Sequence, residues 1–121
     1  MKKLFLSFCI CALLPLFSKA QISVHAQVLW GSSWFPATII DAKSDSWLIH
    51  YDGYGDEWNE WVTADRIKPD WQVGTAVSVN FKDQWFPASI LAIDGMKFQI
   101  HYDGYGSEWD EWVGLDRIKN R

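Results

Sequence analysis

The feature that most constrains this chain is that it says almost the same thing twice. Trp34-Phe35-Pro36-Ala37, His50-Tyr51-Asp52-Gly53-Tyr54-Gly55, Glu57-Trp58, Glu60-Trp61-Val62 and Asp65-Arg66-Ile67-Lys68 form the first copy. Trp85-Phe86-Pro87-Ala88, His101-Tyr102-Asp103-Gly104-Tyr105-Gly106, Glu108-Trp109, Glu111-Trp112-Val113 and Asp116-Arg117-Ile118-Lys119 answer in the same order, without a gap. Self-similarity at a fixed offset of about fifty residues means that one structural unit is built twice. Pro69-Asp70 separates the copies, and so short a joint makes the two units neighbours in space. The expected domains are residues 22–68 and 73–121.

Within each copy the period is two. Ala76-Val77-Ser78-Val79-Asn80-Phe81 alternates apolar with polar, as a half-buried strand does. A turn at Lys82-Asp83-Gln84 leads to a strand from Trp85 to Ile93, a hairpin at Asp94-Gly95 and a third strand from Lys97 to Tyr102. Copy one follows the same plan, with Lys43 to Ser46 as its turn. Asp-Gly-Tyr-Gly breaks the pattern, so Asp52 to Gly55 and Asp103 to Gly106 are expected loops, with strands resuming over Trp58 to Val62 and Trp109 to Val113. Nothing after residue 20 carries a helical stripe. The fold class is all-β: two small SH3-like barrels in tandem. A unit of about fifty residues is marginal unless its core side chains are large, and nine Trp, seven Phe and four Tyr supply that bulk. Trp34, Trp61, Trp85 and Trp112 are expected to pack in the core or between strands.

With these residues in view, both copies resemble the Tudor superfamily, most closely its chromo-barrel or Tudor-knot branch. That resemblance covers each copy almost end to end. It implies an aromatic cage at one end of each barrel, built from the loop after the first strand, the start of the second and the loop after the third. Carried onto matching positions, the first cage is Trp30, Phe35, Tyr51, Tyr54 and Trp58, with Asp52 as a nearby carboxylate. The second is Phe81, Phe86, Tyr102, Tyr105 and Trp109, with Asp103. Tyr54 and Tyr105 stand where the branch usually has Trp, and Phe81 stands where copy one has Trp30, which implies a weaker second cage. Ring faces attract an alkylated ammonium by ~0.5–2 kcal/mol per contact, and a carboxylate adds Coulomb attraction. The competing reading is that these rings are only the core and rim of a tiny barrel.

Residues 1–20 read as a cleavable signal peptide: Lys2-Lys3, an apolar run from Leu4 to Phe17, and the small-residue exit Ser18-Lys19-Ala20. The mature chain would then begin at Gln21, lack any membrane anchor and be secreted or periplasmic. Export would also separate it from chromatin, so the histone-tail ligand suggested by the resemblance is not carried over with the fold. Removing that segment takes both cysteines and leaves eight basic against fifteen acidic residues, a net charge of −7. Such a surface argues against nucleic acid, whose binding rests on neutralising phosphates, and suits a cationic ligand.

Neither a catalytic constellation nor a cofactor motif emerges. His50 and His101 sit in strands beside Tyr, with no Ser or Cys in a nucleophile turn. Asp52, Asp56 and Glu57 lack the alternating ligand spacing of a calcium loop. Glu60 and Glu111 are expected to tie down the Gly-rich loop or to pair with Arg66 and Arg117. The expectation is therefore a non-enzymatic module, without metal or cofactor, whose partner is a peptide, a protein or a small cationic ligand. Two alternatives remain open at this stage: glycan or cell-wall binding on flat aromatic platforms, and a structural role in which the aromatic faces of the two barrels pack on each other or on a partner protein.

Overall fold

The computed structural model describes residues 22–121. The expected signal segment and the expected new N-terminus at Gln21 lie outside the described residues. Ten strands follow in order: β1 Val24–Trp30, β2 Ser33–Ala42, β3 Trp47–Tyr51, β4 Glu60–Val62, β5 Ile67–Pro69, β6 Ala76–Phe81, β7 Gln84–Asp94, β8 Lys97–Tyr102, β9 Glu111–Val113 and β10 Ile118–Asn120. They form two five-stranded antiparallel sheets, β4-β3-β2-β1-β5 and β10-β6-β7-β8-β9. Each sheet uses the strands of one repeat only, and the protein is all-β, a tandem of small barrels.

Strand alternation decides what is inside. Val24, Ala26 and Val28 of β1, Ala37 and Ile39 of β2, and Trp47, Ile49 and Tyr51 of β3 are buried, and Val62 and Ile67 close the first core. Val77, Val79, Ala88, Ile90, Phe98, Ile100, Tyr102, Val113 and Ile118 do the same in the second. Full burial of one Val or Ile is worth about 1.5–3 kcal/mol. The long strands β2 and β7 each carry a register shift, between Ile39 and Asp41 and between Ile90 and Ala92. An extra residue there bends the strand and raises its twist, which lets one strand serve both ends of a curled sheet.

Two expectations need correction. Trp34, Trp61, Trp85 and Trp112 are not core residues: Trp34 is 38% and Trp112 is 48% exposed. They alternate with the inward rows and so point outward, and the Nζ atoms of Lys68, Lys43 and Lys119 lie 4.1, 4.3 and 4.1 Å from the ring centres of Trp34, Trp61 and Trp85. Strand register, not ring size, decides this, because each of the four directly adjoins an inward-facing residue of its own strand, Phe35, Val62, Phe86 or Val113. The buried tryptophans are instead Trp47 and Trp71. Trp71 meets Phe98 edge-on at 5.3 Å and donates from Nε1 to Asn120 Oδ1 at 2.8 Å. Secondly, Trp58 and Trp109 do not begin strands. They end single 3-10 turns, Asp56–Trp58 and Ser107–Trp109, and pairing resumes only at Glu60 and Glu111.

Candidate ligand-binding site

The inward-facing rows continue beyond the core. In β1 the row Val24, Ala26, Val28 runs on to Trp30; in β2 the row Ile39, Ala37 runs back to Phe35; in β3 the row Trp47, Ile49 ends at Tyr51. Period-two geometry thus delivers three rings to one end of the barrel with no special loop. Register keeps them adjacent, since Val28 pairs with Phe35 and Ala37 with Tyr51.

The other two rings come from the Asp-Gly-Tyr-Gly segment. Tyr54 N–H donates to Tyr51 C=O at 3.1 Å, closing a turn in which Gly53 has φ +84°. That left-handed position suits glycine, and the turn folds Tyr54 back over the barrel mouth. The following 3-10 turn, with Trp58 N–H on Gly55 C=O at 3.1 Å, brings Trp58 to the same rim. The second repeat builds the same turns around Gly104, Tyr105 and Trp109.

The result is an aromatic cavity in each barrel. Trp30, Phe35, Tyr51, Tyr54 and Trp58 line about 180 Å³ in the first. Phe81, Phe86, Tyr102, Tyr105 and Trp109 line about 160 Å³ in the second. The rings stand on edge to one another: Trp30 and Phe35 at 73°, Phe35 and Tyr51 at 88°, Phe81 and Trp109 at 86°, Phe86 and Tyr105 at 88°. Tyr51 forms the floor, 6% exposed, whereas Trp30 is 54% exposed at the rim.

Asp52 and Asp103 stand outside these walls. Each follows an inward Tyr and so faces the other way. Thr38 Oγ1 donates to Asp52 Oδ1 at 3.0 Å, and Arg121 pairs with Asp103 Oδ2 at 2.8 Å.

Behind each cavity lies a charged clamp. Tyr51 Oη donates to Glu60 Oε2 at 2.6 Å, Arg66 grips Glu60 from two nitrogens at 3.2 and 2.9 Å, and Arg66 Nε donates to Leu29 C=O at 2.9 Å. Tyr102, Glu111, Arg117 and Asn80 C=O repeat this arrangement. Burial and the Glu60 carboxylate push the Tyr51 phenol up to about 12, and Tyr102 is pushed to about 12 in the same way. Both floor rings therefore stay neutral. The Arg66 guanidinium holds the Glu60 carboxyl below its ordinary value, as Arg117 does for Glu111. The expected pairing of Glu60 with Arg66 and Glu111 with Arg117 is present, while the tyrosine partner was signalled only by the repeated nine-residue spacing to the Glu. His50 Nδ1 meets Asn59 Oδ1 at 2.9 Å, and His101 Nδ1 meets Asp110 Oδ1 at 2.8 Å, so each imidazole fastens the 3-10 turn that carries the rim Trp.

This geometry can be set beside known proteins. Residues 22–70 match the family profile of the Agenet domain, and residues 71–120 that of the Tudor-knot, "RNA binding activity-knot of a chromodomain". These matches support the Tudor/chromo-barrel family for both repeats. Chromatin modification-related protein EAF3 of Saccharomyces cerevisiae is 53% identical to this chain over 38 residues, 31% of the chain and 9% of the yeast protein. EAF3 of Kluyveromyces lactis is 60% identical over 25 residues, 21% of the chain and 7% of that protein. The matched segment thus spans less than a tenth of those curated relatives. The crystal structure of ADCP1 tandem Agenet domain 3-4 is similar with a TM-score of 0.37 at 16% identity, over 81% of this chain and 77% of that one.

The relatives correct one expectation outright. A secreted or periplasmic location is overturned, because the matched proteins of these yeasts are chromatin modification-related proteins. The bacterial-type exported reading finds no support. Nor is the exclusion of nucleic acid supported, since the profile matching the second Tudor-type repeat is itself described as RNA binding.

Proposed function

We propose that the chain is a non-catalytic reader of alkylated ammonium groups, with a methylated lysine side chain on a basic, histone-type peptide as its ligand, held in the aromatic cages. The observation that carries this reading is the first cavity: five rings, of which Phe35 stands edge-on to both Trp30 and Tyr51, around about 180 Å³ that opens to solvent. A space of about 150 Å³ accommodates a benzene-sized group, so the cavity suits a trialkylated ammonium head rather than a whole ligand. Neutral rings facing a cation gain quadrupole attraction that free water does not offer a bulky alkylammonium. The acidic surface and the chromatin-associated relatives favour a basic peptide as the bearer of that head.

A flat platform for sugars fits less well, because near-perpendicular rings present no common plane. Packing of the two aromatic faces on each other fits less well too, because the rim rings Trp30, Tyr54 and Trp58 are exposed.

Calorimetric titration of the chain with one basic peptide, bearing either trimethyl-lysine or unmodified lysine, tests the proposal. The methylated form should bind at least tenfold more tightly. Equal affinity for the two forms, or capture of RNA with no response to methylation, would overturn it.

A further inference from the structure

The two cages match in four of five rings, Phe81 standing where the first has Trp30, and they differ in charge as well; we propose that Lys82 is a selectivity residue that, beyond that ring change, holds the second cage below the first for permanently charged ligands. The inference rests on reading the cages as ammonium sites and assigns an order of filling within that reading.

Three differences between aligned positions have the same sign. Where the first repeat turns through Gly31, φ +65°, the second has Lys82, whose Nζ sits 5.4 Å from the centre of the Phe81 ring. Phe81 is a wall of the second cavity, so one of its rings already faces a cation of the chain itself. Any ammonium held against that ring lies within about one Debye length, ~8–10 Å, of Lys82. The carboxylate of Asp103 is paired with Arg121 at 2.8 Å, whereas Asp52 receives only the Thr38 hydroxyl. Finally, Asp56 on the first 3-10 turn is replaced by Ser107 on the second. Two differences have the opposite sign: Asp83 lies in the Lys82 turn, and Asp110, held on His101, stands where the first repeat has Asn59; the ring contact nevertheless belongs to Lys82.

Lys82 and Asp83 hold φ +51° and +67°, the left-handed pair that a two-residue hairpin turn between Phe81 and Gln84 requires, so the turn itself sets Lys82 beside the Phe81 ring.

The test uses the chain labelled with ¹⁵N and titrated with tetramethylammonium chloride. Indole N–H signals of Trp30 and Trp58 report the first cage and that of Trp109 reports the second. In the parent, the first pair should move at lower concentration than Trp109. Lys82→Gln should strengthen the Trp109 response roughly two- to fivefold at low salt. That gain should shrink towards none near 1 M salt, where the Debye length is about 3 Å. The reciprocal change, Gly31→Lys, should weaken the first cage. Simultaneous titration of both cages in the parent, or a Trp109 response unchanged by Lys82→Gln, would overturn the role of Lys82 while leaving the ammonium reading intact. Absence of any indole shift in the parent and both variants would overturn both.

Discussion

The hydroxyl of Tyr51 donates to Glu60 across 2.6 Å, and this one contact joins the floor of the first aromatic cavity to the guanidinium of Arg66, which in turn holds the carbonyl of Leu29 just before the rim residue Trp30. A ring that must stay put is thus tied to the strand that supplies its neighbour. Glu60→Gln should destabilise the first barrel by about 1–2 kcal/mol, because a hydrogen-bonded ion pair becomes a neutral contact at a partly exposed site. Urea denaturation checks it. Since Arg66 lowers the Glu60 carboxyl, the wild-type contribution is full above the ordinary carboxylate range and is lost as pH falls through the lowered value. Glu60→Gln should flatten that part of the acid profile.

Alkaline pH should separate the tyrosines. Tyr51 and Tyr102 ionise only at about 12, whereas an unfolded chain loses the same protons near 10. The unfolded state then binds fewer protons between those values, so stability falls as pH rises from about 10 to 12. Absorbance at the phenolate band should show two of the four tyrosines titrating late, with thermal melting lowered over the same interval. Four tyrosines titrating together would contradict the clamp.

Core and cage substitutions should part company. Ile49→Ala removes a fully buried side chain and should cost about 2–5 kcal/mol. Tyr54→Ala and Trp58→Ala, at the exposed rim, should each cost under about 1 kcal/mol yet abolish alkylammonium binding at the first cage. Paired melting and calorimetry decide it, and a rim variant that binds normally would remove that ring from the site.

The Lys82-Asp83 turn should be improvable. Asp83 keeps φ +67°, and Asp83→Gly should stabilise the second barrel by a few tenths to about 1 kcal/mol: the left-handed strain is relieved, part of the gain being offset by glycine's greater freedom when unfolded. A lower melting temperature would show that the Asp83 side chain contributes more than its backbone costs.

Much of the fold is legible in the residues, and the reason is local. Val77 and Val79 alternate with polar neighbours, Gly95 marks a hairpin, and the repeated blocks force one topology on both halves. The ring sets of both cavities are what the family resemblance implies; the period that buries Val28 accounts for Trp30, while Tyr54 and Trp58 depend on turns outside the strand rows. The outward tryptophans were not legible, since size argues for burial while Trp34 and Trp85 lie on the strand face opposite Phe35 and Phe86, and the inward rows are closed by Trp47 and Phe98 instead. Alternation predicts which residues share a face and is silent on what long side chains do once there. Lys82 over Phe81 and Arg121 on Asp103 belong to that class: the first is a rotamer choice, and the second joins positions eighteen residues apart.

Trp30, Phe35 and Tyr51 occupy the final rungs of rows whose other rungs are the core. A slip of β1 against β2 by a single residue would turn Val28 and Trp30 outward together. Under the proposed function, ligand capture would therefore also be an assay of strand register. A chain with β1 wrongly paired would lack the Trp30 wall, and a binding measurement on a destabilised variant would count only the correctly threaded molecules.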